Sequence, residues 1–152
     1  MQKLAKIDLK DLYEVDEHLW LEETIKLLKS KCLDALDIDN LIEELESLSR
    51  SEKAKVARFL ELIIIHLLLC QFWAEESEYN LNYWKTKLIS FRSQIERLLT
   101  TNLRNYLENE LPKIYRKSLK YVRQKTQFKV TFPNNCPYNL QQLLDEDWLP
   151  NN

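Results

Sequence analysis

Residues 49–73, SRSEKAKVARFLELIIIHLLLCQFW, decide the fold. At 100° per residue, Val56, Leu60, Ile63 and Leu67 fall on one side of a helix, while Phe59, Leu62, His66, Leu69 and Trp73 fall on another. A helix apolar on two sides needs neighbours on both flanks, so this one belongs at the centre of a bundle. Its most apolar part, residues 62–74, holds thirteen residues between Glu61 and Glu75 and includes His66 and Gln71. A bilayer demands roughly twenty apolar residues, so no membrane span is expected and the stretch reads as a core helix. Ser49-Arg50-Ser51-Glu52 has the capping-box pattern, which predicts a bend and a fresh helix start at that point.

Working outward, four more helical segments follow from period and caps. The first covers about 11–31, with Leu12, Val15 and Leu19 on one stripe and Trp20, Thr24, Leu27 and Leu28 beside it. The second begins near 37–40, where Asn40 and Glu43 resemble a capping box, and carries an apolar stripe of Ile38, Leu41, Ile42, Leu45 and Leu48. The fourth, about 82–100, repeats Leu81, Trp84, Leu88, Phe91, Ile95 and Leu98 in three-four spacing, the seam of a bundle. The fifth starts near 101–103 and resumes to about 127 after Pro112, which lacks an N–H and should end or kink it. Beyond Phe128 the prolines 133, 137 and 150 break any long element, yet Phe132, Tyr138, Leu140, Leu143, Leu144, Trp148 and Leu149 are too apolar for a free tail. Residues 131–152 therefore predict an extended strap with one short helix near 139–144, packed on the bundle.

Composition agrees with this reading. None of the 152 residues is glycine, whereas average usage of roughly 7% would supply about eleven. That excludes the phosphate-cradling P-loop, the dinucleotide G-x-G-x-x-G turn, the calcium loop and the G-x-S-x-G elbow, which place backbone where a Cβ cannot go. The three cysteines, Cys32, Cys70 and Cys136, are far apart and form no C-x-x-C pair, so a disulfide framework or zinc knuckle is not implied. A reducing cytoplasm fits them. The N-terminus mixes charge with apolar residues and lacks the continuous apolar region of a secretory signal. The chain length matches one domain, 1–152, with a core of its own.

Net charge is −2, unevenly placed. Residues 1–50 carry seven cations and thirteen anions, whereas residues 81–130 carry twelve cations and three anions. On the fifth segment Lys113, Arg116, Lys117, Lys120 and Arg123 recur every three or four residues and make one cationic face with Tyr115 and Tyr121 nearby. Such a face suits phosphates or nucleic acid; a solvated face, or one paired with the acidic N-terminal half, accounts for it equally.

Catalytic candidates are sparse. His66 could act as base, ligand or switch, or sit in the core bonded to a carboxylate or hydroxyl. One of Glu43, Glu44 and Glu46 would reach His66 if the second and third segments formed an antiparallel hairpin. The Glu-x-x-His spacing of di-iron bundles is missing, because position 63 is isoleucine. Glu14 and His18, one turn apart, supply only two ligands, so neither a metal nor a cofactor is expected. Arg58 and His66 invite comparison with small helical ribonucleases of toxin systems, but they differ by about 80° around the axis. Cys70 lies in apolar sequence where a thiolate is disfavoured, and Cys136 has no identified base.

Several blocks together resemble one family: Tyr13-Glu14-x-Asp16 with Trp20 and Leu21; Asn40 to Leu48; His66-Leu67-Leu68; Trp84-x-Thr86 with Arg92; and Phe132-Pro133-x-x-Cys136-Pro137-Tyr138 running to Asp145-x-Asp147-Trp148-Leu149-Pro150. The chain is similar over nearly its full length to the twenty-ninth catalogued domain of unknown function, found mainly in cyanobacteria and other bacteria. Two positions depart from that pattern. Lys125-Thr126-Gln127-Phe128 stands where the family tends to have Glu-Thr-Gly-Leu, and Leu69-Cys70 stands where it has Lys-Trp. The resemblance implies an all-helical fold and no established activity.

The sequence thus predicts an all-α, five-helix bundle with a long central third helix and a C-terminal strap. In function it points first to a non-catalytic cytoplasmic interaction or assembly module, bound to a protein partner or to its own copies. The alternative is a nucleic-acid-associated protein using the cationic face, with Arg58, His66 and the three glutamates as the chemistry of a small helical ribonuclease.

Overall fold

The computed structural model describes residues 8–151, which divide into two compact units meeting at Arg50 and Ser51. All regular structure among them is helical: α1 Leu9–Val15, α2 Glu17–Lys29, a 3-10 turn Leu33–Ala35, α3 Ile38–Phe72, α4 Ala74–Leu98, α5 Thr101–Lys125 and α6 Leu140–Leu144. The fold is all-α with a long central helix, as the sequence predicts; five helices precede the short strap helix as expected, but the boundaries of the first three differ in two places.

The first correction is at Asp16, where one expected helix becomes two. Asp16 leaves helical geometry, with φ −149° and ψ 87°, and its side chain accepts from Leu19 N–H at 3.0 Å to start α2. A short carboxylate that bonds the backbone ahead competes with the helix that would run through it. The second correction is at Ser49 to Glu52, where two expected helices fuse into α3. A capping box forms only if the backbone turns, and no glycine or proline across residues 38–72 interrupts the i to i−4 ladder.

The unit up to Arg50 has a small core. Trp20 is fully buried, with the Tyr13 ring edge-on at 4.9 Å and its indole N–H donating to Asp37 Oδ2 at 3.2 Å. Asp37 also accepts from the Asn40 amide side chain at 2.6 Å and from its backbone N–H, and so caps α3. The cap is therefore Asp37, within the expected 37–40 start, while Asn40 lies inside the first turn and so does not open the capping box that its spacing to Glu43 resembles. α2 closes on Lys31 at φ 59°, with Lys31 N–H donating to Leu28 O and Cys32 N–H to Leu27 O. These are the two bonds of a Schellman cap, made without the usual glycine.

In the unit from Ser51 onward, Phe59 and His66 of α3 pack against Phe91, and Trp73 stacks on Trp84, so α4 descends as α3 climbs. The turn between them is the single residue Trp73, with φ −99° and ψ 70°. α4 starts eight residues earlier than the seam predicts, and the acidic Glu75 and Glu76 in its first turn suit a helix N-terminus. Lys53 lies over the Tyr106 ring and Ser118 Oγ reaches Glu61 O at 3.4 Å, so α5 runs parallel to α3. α5 continues through Pro112, which is exposed, as is Glu108, whose carbonyl loses its N–H donor to the proline.

The strap is where it was expected, laid over this bundle. Phe132, Tyr138, Leu140 and Leu143 are buried, and α6 opens with a capping box between Asn139 and Gln142. Tyr138 Oη donates to Gln71 Oε1 at 2.7 Å, and Tyr115 Oη donates to Pro133 O. Buried Arg92 of α4 donates to three strap carbonyls: Leu143 at 2.9 Å, Trp148 at 2.8 Å and Gln142 at 3.1 Å. Five guanidinium N–H groups in a rigid fork suit this gathering of carbonyls at the end of a short helix.

Candidate functional site

The tempting catalytic residues do not assemble. His66 Nδ1–H donates to Leu62 O, one turn back on its own helix, at 2.8 Å, and its ring meets the Phe91 ring edge-on at 5.3 Å. Burial pushes its pKa below the ordinary value, with the Leu62 carbonyl opposing and the nearby Lys87 and Lys125 charges adding to that, which favours the neutral imidazole. The partner is a backbone carbonyl, where the sequence had suggested a carboxylate or hydroxyl.

The hairpin that would have folded Glu43, Glu44 and Glu46 back onto His66 is absent, because all four residues lie on the continuous α3. Glu43 pairs with Arg50 at 3.5 Å, and Glu44 accepts the Tyr13 hydroxyl. That bond raises the Tyr13 pKa to about 12, and Glu44 likewise raises Glu17. Arg58 is exposed and pairs with Glu61 at 3.0 Å. The Glu14 and His18 pairing fails because the α1–α2 break at Asp16 falls between them; His18 instead lies 3.9 Å from Glu22. Among the described residues no three His, Cys, Asp or Glu side chains gather as metal ligands. Burial raises the Cys70 thiol to about 11 and also raises Cys136, so neither is an activated nucleophile.

The cationic face is realised on α5. Lys113, Arg116, Lys117 and Lys120 are exposed and Arg123 is half-buried, while Ile114, Tyr115, Ser118, Leu119 and Val122 face inward. Among the described residues none of the five cations forms an ion pair. Arg123 Nη2 donates instead to Asn134 Oδ1 of the strap at 3.0 Å. Arg116, Lys120 and Arg123 line a groove of about 480 Å³, together with Leu119, Gln124, Asn134 and Phe128.

Two features escaped the sequence. Phe128 sits at the groove with φ 61°, after Gln127 at φ 55°. Their amides close α5 as a second glycine-free Schellman cap, Gln127 N–H to Gln124 O and Phe128 N–H to Arg123 O. Position 127 carries glutamine where such a cap ordinarily has glycine, so the usual signal in the sequence is missing. The other feature is the solvent exposure of the α3 stripe, since Ile38, Ile42, Leu45 and Leu48 all stay accessible, the last two at 58% and 59%. Periodicity identifies an apolar stripe but not whether anything covers it.

No helix among the described residues is long and apolar enough to cross a membrane. No curated protein matches the chain. A crystal structure of an α-helical protein of unknown function from Rhodospirillum rubrum is similar over 90% of each chain, with 18% identity and a TM-score of 0.65, a likeness of fold alone. The family profile of the domain of unknown function DUF29 matches residues 12–149, and the chain belongs to that family.

Proposed function

We propose that this chain is a non-catalytic cytoplasmic assembly module that associates through the N-terminal half of α3. The observation that carries the reading is the stripe of Ile38, Ile42, Leu45 and Leu48, left in water along the first turns of α3. Single exposed apolar residues are ordinary, but a contiguous row at helical spacing marks a surface built for another helix. Leu21, Ile25, Leu28 and Leu33 of the same unit are also exposed and enlarge the apolar surface available to a partner. The state of the cysteines supports a cytoplasmic setting: Cys32, Cys70 and Cys136 are all free thiols, and Cys32 is exposed.

A second copy is the first partner to test. Sedimentation across a concentration series should show the mass rising from monomer to dimer, and the pair Leu45→Glu and Leu48→Glu should hold the protein monomeric with its helicity unchanged. A wild-type chain that stays monomeric up to its solubility limit, and that gains no mass with any purified helical partner, would remove the reading.

A further inference from the structure

We propose that the groove at the C-terminal end of α5 binds single-stranded nucleic acid, with Arg116, Lys120 and Arg123 on the phosphates and the Phe128 ring stacked on a base. The groove lies in the other unit from the apolar stripe, so this inference does not depend on the assembly reading.

Three observations converge. The cations at 116, 120 and 123 follow one face of α5 and, among the described residues, none is neutralised by an acid. Arg123 is held by Asn134, which fixes its guanidinium at the wall of the groove. Phe128 is 69% exposed and its backbone is left-handed, a region that a residue with a Cβ enters only at a cost. Neither the burial of its ring nor a backbone preference explains phenylalanine there. An unstacked base does, because every base offers a flat π face to an aromatic ring while the adjoining phosphates meet the cations. A duplex hides its base faces within the stack, and an acidic peptide supplies carboxylates but no regular series of planar rings. Single strands satisfy both halves of the groove.

The test is fluorescence anisotropy of the purified full chain with a short fluorescein-labelled oligouridylate. Three phosphate contacts give a salt slope of about −2 on logarithmic axes, so raising salt from about 50 to about 200 mM should weaken binding about twentyfold. Arg116→Gln with Lys120→Gln should flatten that slope. Phe128→Ala should weaken binding at least fivefold at fixed salt and leave the slope alone, and Phe128→Trp should restore it. Residue 128 contributes a backbone N–H and an exposed ring, so both variants should keep the wild-type helicity. Absence of binding at the lower salt overturns the proposal. So does a Phe128→Ala variant that binds as wild type, which would leave only charge, and so does displacement by polyglutamate on equal terms, which would assign the groove to acidic peptides. Leu45→Glu with Leu48→Glu should bind the oligonucleotide normally, which separates this result from that of the assembly reading.

Discussion

The two halves of α3 have the same backbone and each carries leucine and isoleucine at helical spacing, five over residues 38–55 and eight over residues 56–72, yet they behave as opposites. From Val56 to Cys70 the helix buries nine residues, and its neighbours on α4, α5 and the strap cover it on every apolar side. From Ile38 to Lys55 it buries none. The difference is one of partners as well as of pattern: the second half is apolar on two sides and the first on one, and an amphipathic stripe is only half of an interaction. In one half the chain supplies the other half itself, and in the other half the stripe faces water.

Paired truncations give the sharpest way to break this contrast. Leu67 is fully buried, so Leu67→Ala should cost about 3 kcal/mol from lost transfer energy and an unfilled cavity. Leu48→Ala should change the stability of dilute protein by less than about 0.5 kcal/mol. Urea denaturation of the two variants decides it, and equal losses would mean that the N-terminal stripe is covered after all.

Next in size is Arg92→Met, which keeps the length of the side chain but removes the donors to Gln142, Leu143 and Trp148. Some of these carbonyls can rehydrate as the strap loosens, so the expected loss is about 2 kcal/mol. It should appear as faster hydrogen exchange and proteolysis at residues 130–150, with residues 8–50 unchanged. A variant whose strap is as protected as in the wild type would show that Tyr138, Phe132 and the buried leucines hold it unaided.

Much of the 51–152 unit was legible from spacing. The doubly apolar segment around Ile63, the three-four seam of α4 and the proline-broken but apolar strap each have one packing solution. What misled was local motif chemistry. Ser49 and Glu52 fit a capping box as letters, but a cap exists only where backbone N–H groups are free, and α3 leaves none free there. Asp16 does cap a helix, and nothing in the apolar period around it shows that the chain stops and restarts. The cationic face could be read from spacing, whereas its aromatic neighbour could not, because the left-handed turn that projects Phe128 normally carries a glycine as its signal. Arg92 was visible only within a family block, since charge conceals how deeply a guanidinium lies. His66 looked chemical because its partner could not be seen; a carbonyl of its own helix is the one acceptor that every helical residue has within reach.

The smallest expected effect concerns the feature the two units share. Each ends a helix on a residue with a Cβ in left-handed geometry, Lys31 in one and Gln127 in the other, with the same pair of capping bonds. Left-handed backbone costs such residues roughly 1–2 kcal/mol, and glycine avoids that cost but gives up some order in the unfolded chain. Lys31→Gly and Gln127→Gly should therefore each stabilise by about 1 kcal/mol or slightly less. The way the gain appears on heating carries the comparison further. If the units unfold as one, both substitutions raise a single transition. If the unit with the small Trp20 core opens first, Lys31→Gly shifts only an early, shallow transition and Gln127→Gly only the later one, as expected for sub-global opening. A loss of stability from either glycine would mean that the Lys31 or Gln127 side chain, through its contacts and the restriction it places on the unfolded chain, contributes more than the strain it imposes. At position 127 that result would also explain how the chain keeps Phe128 in place without a glycine before it.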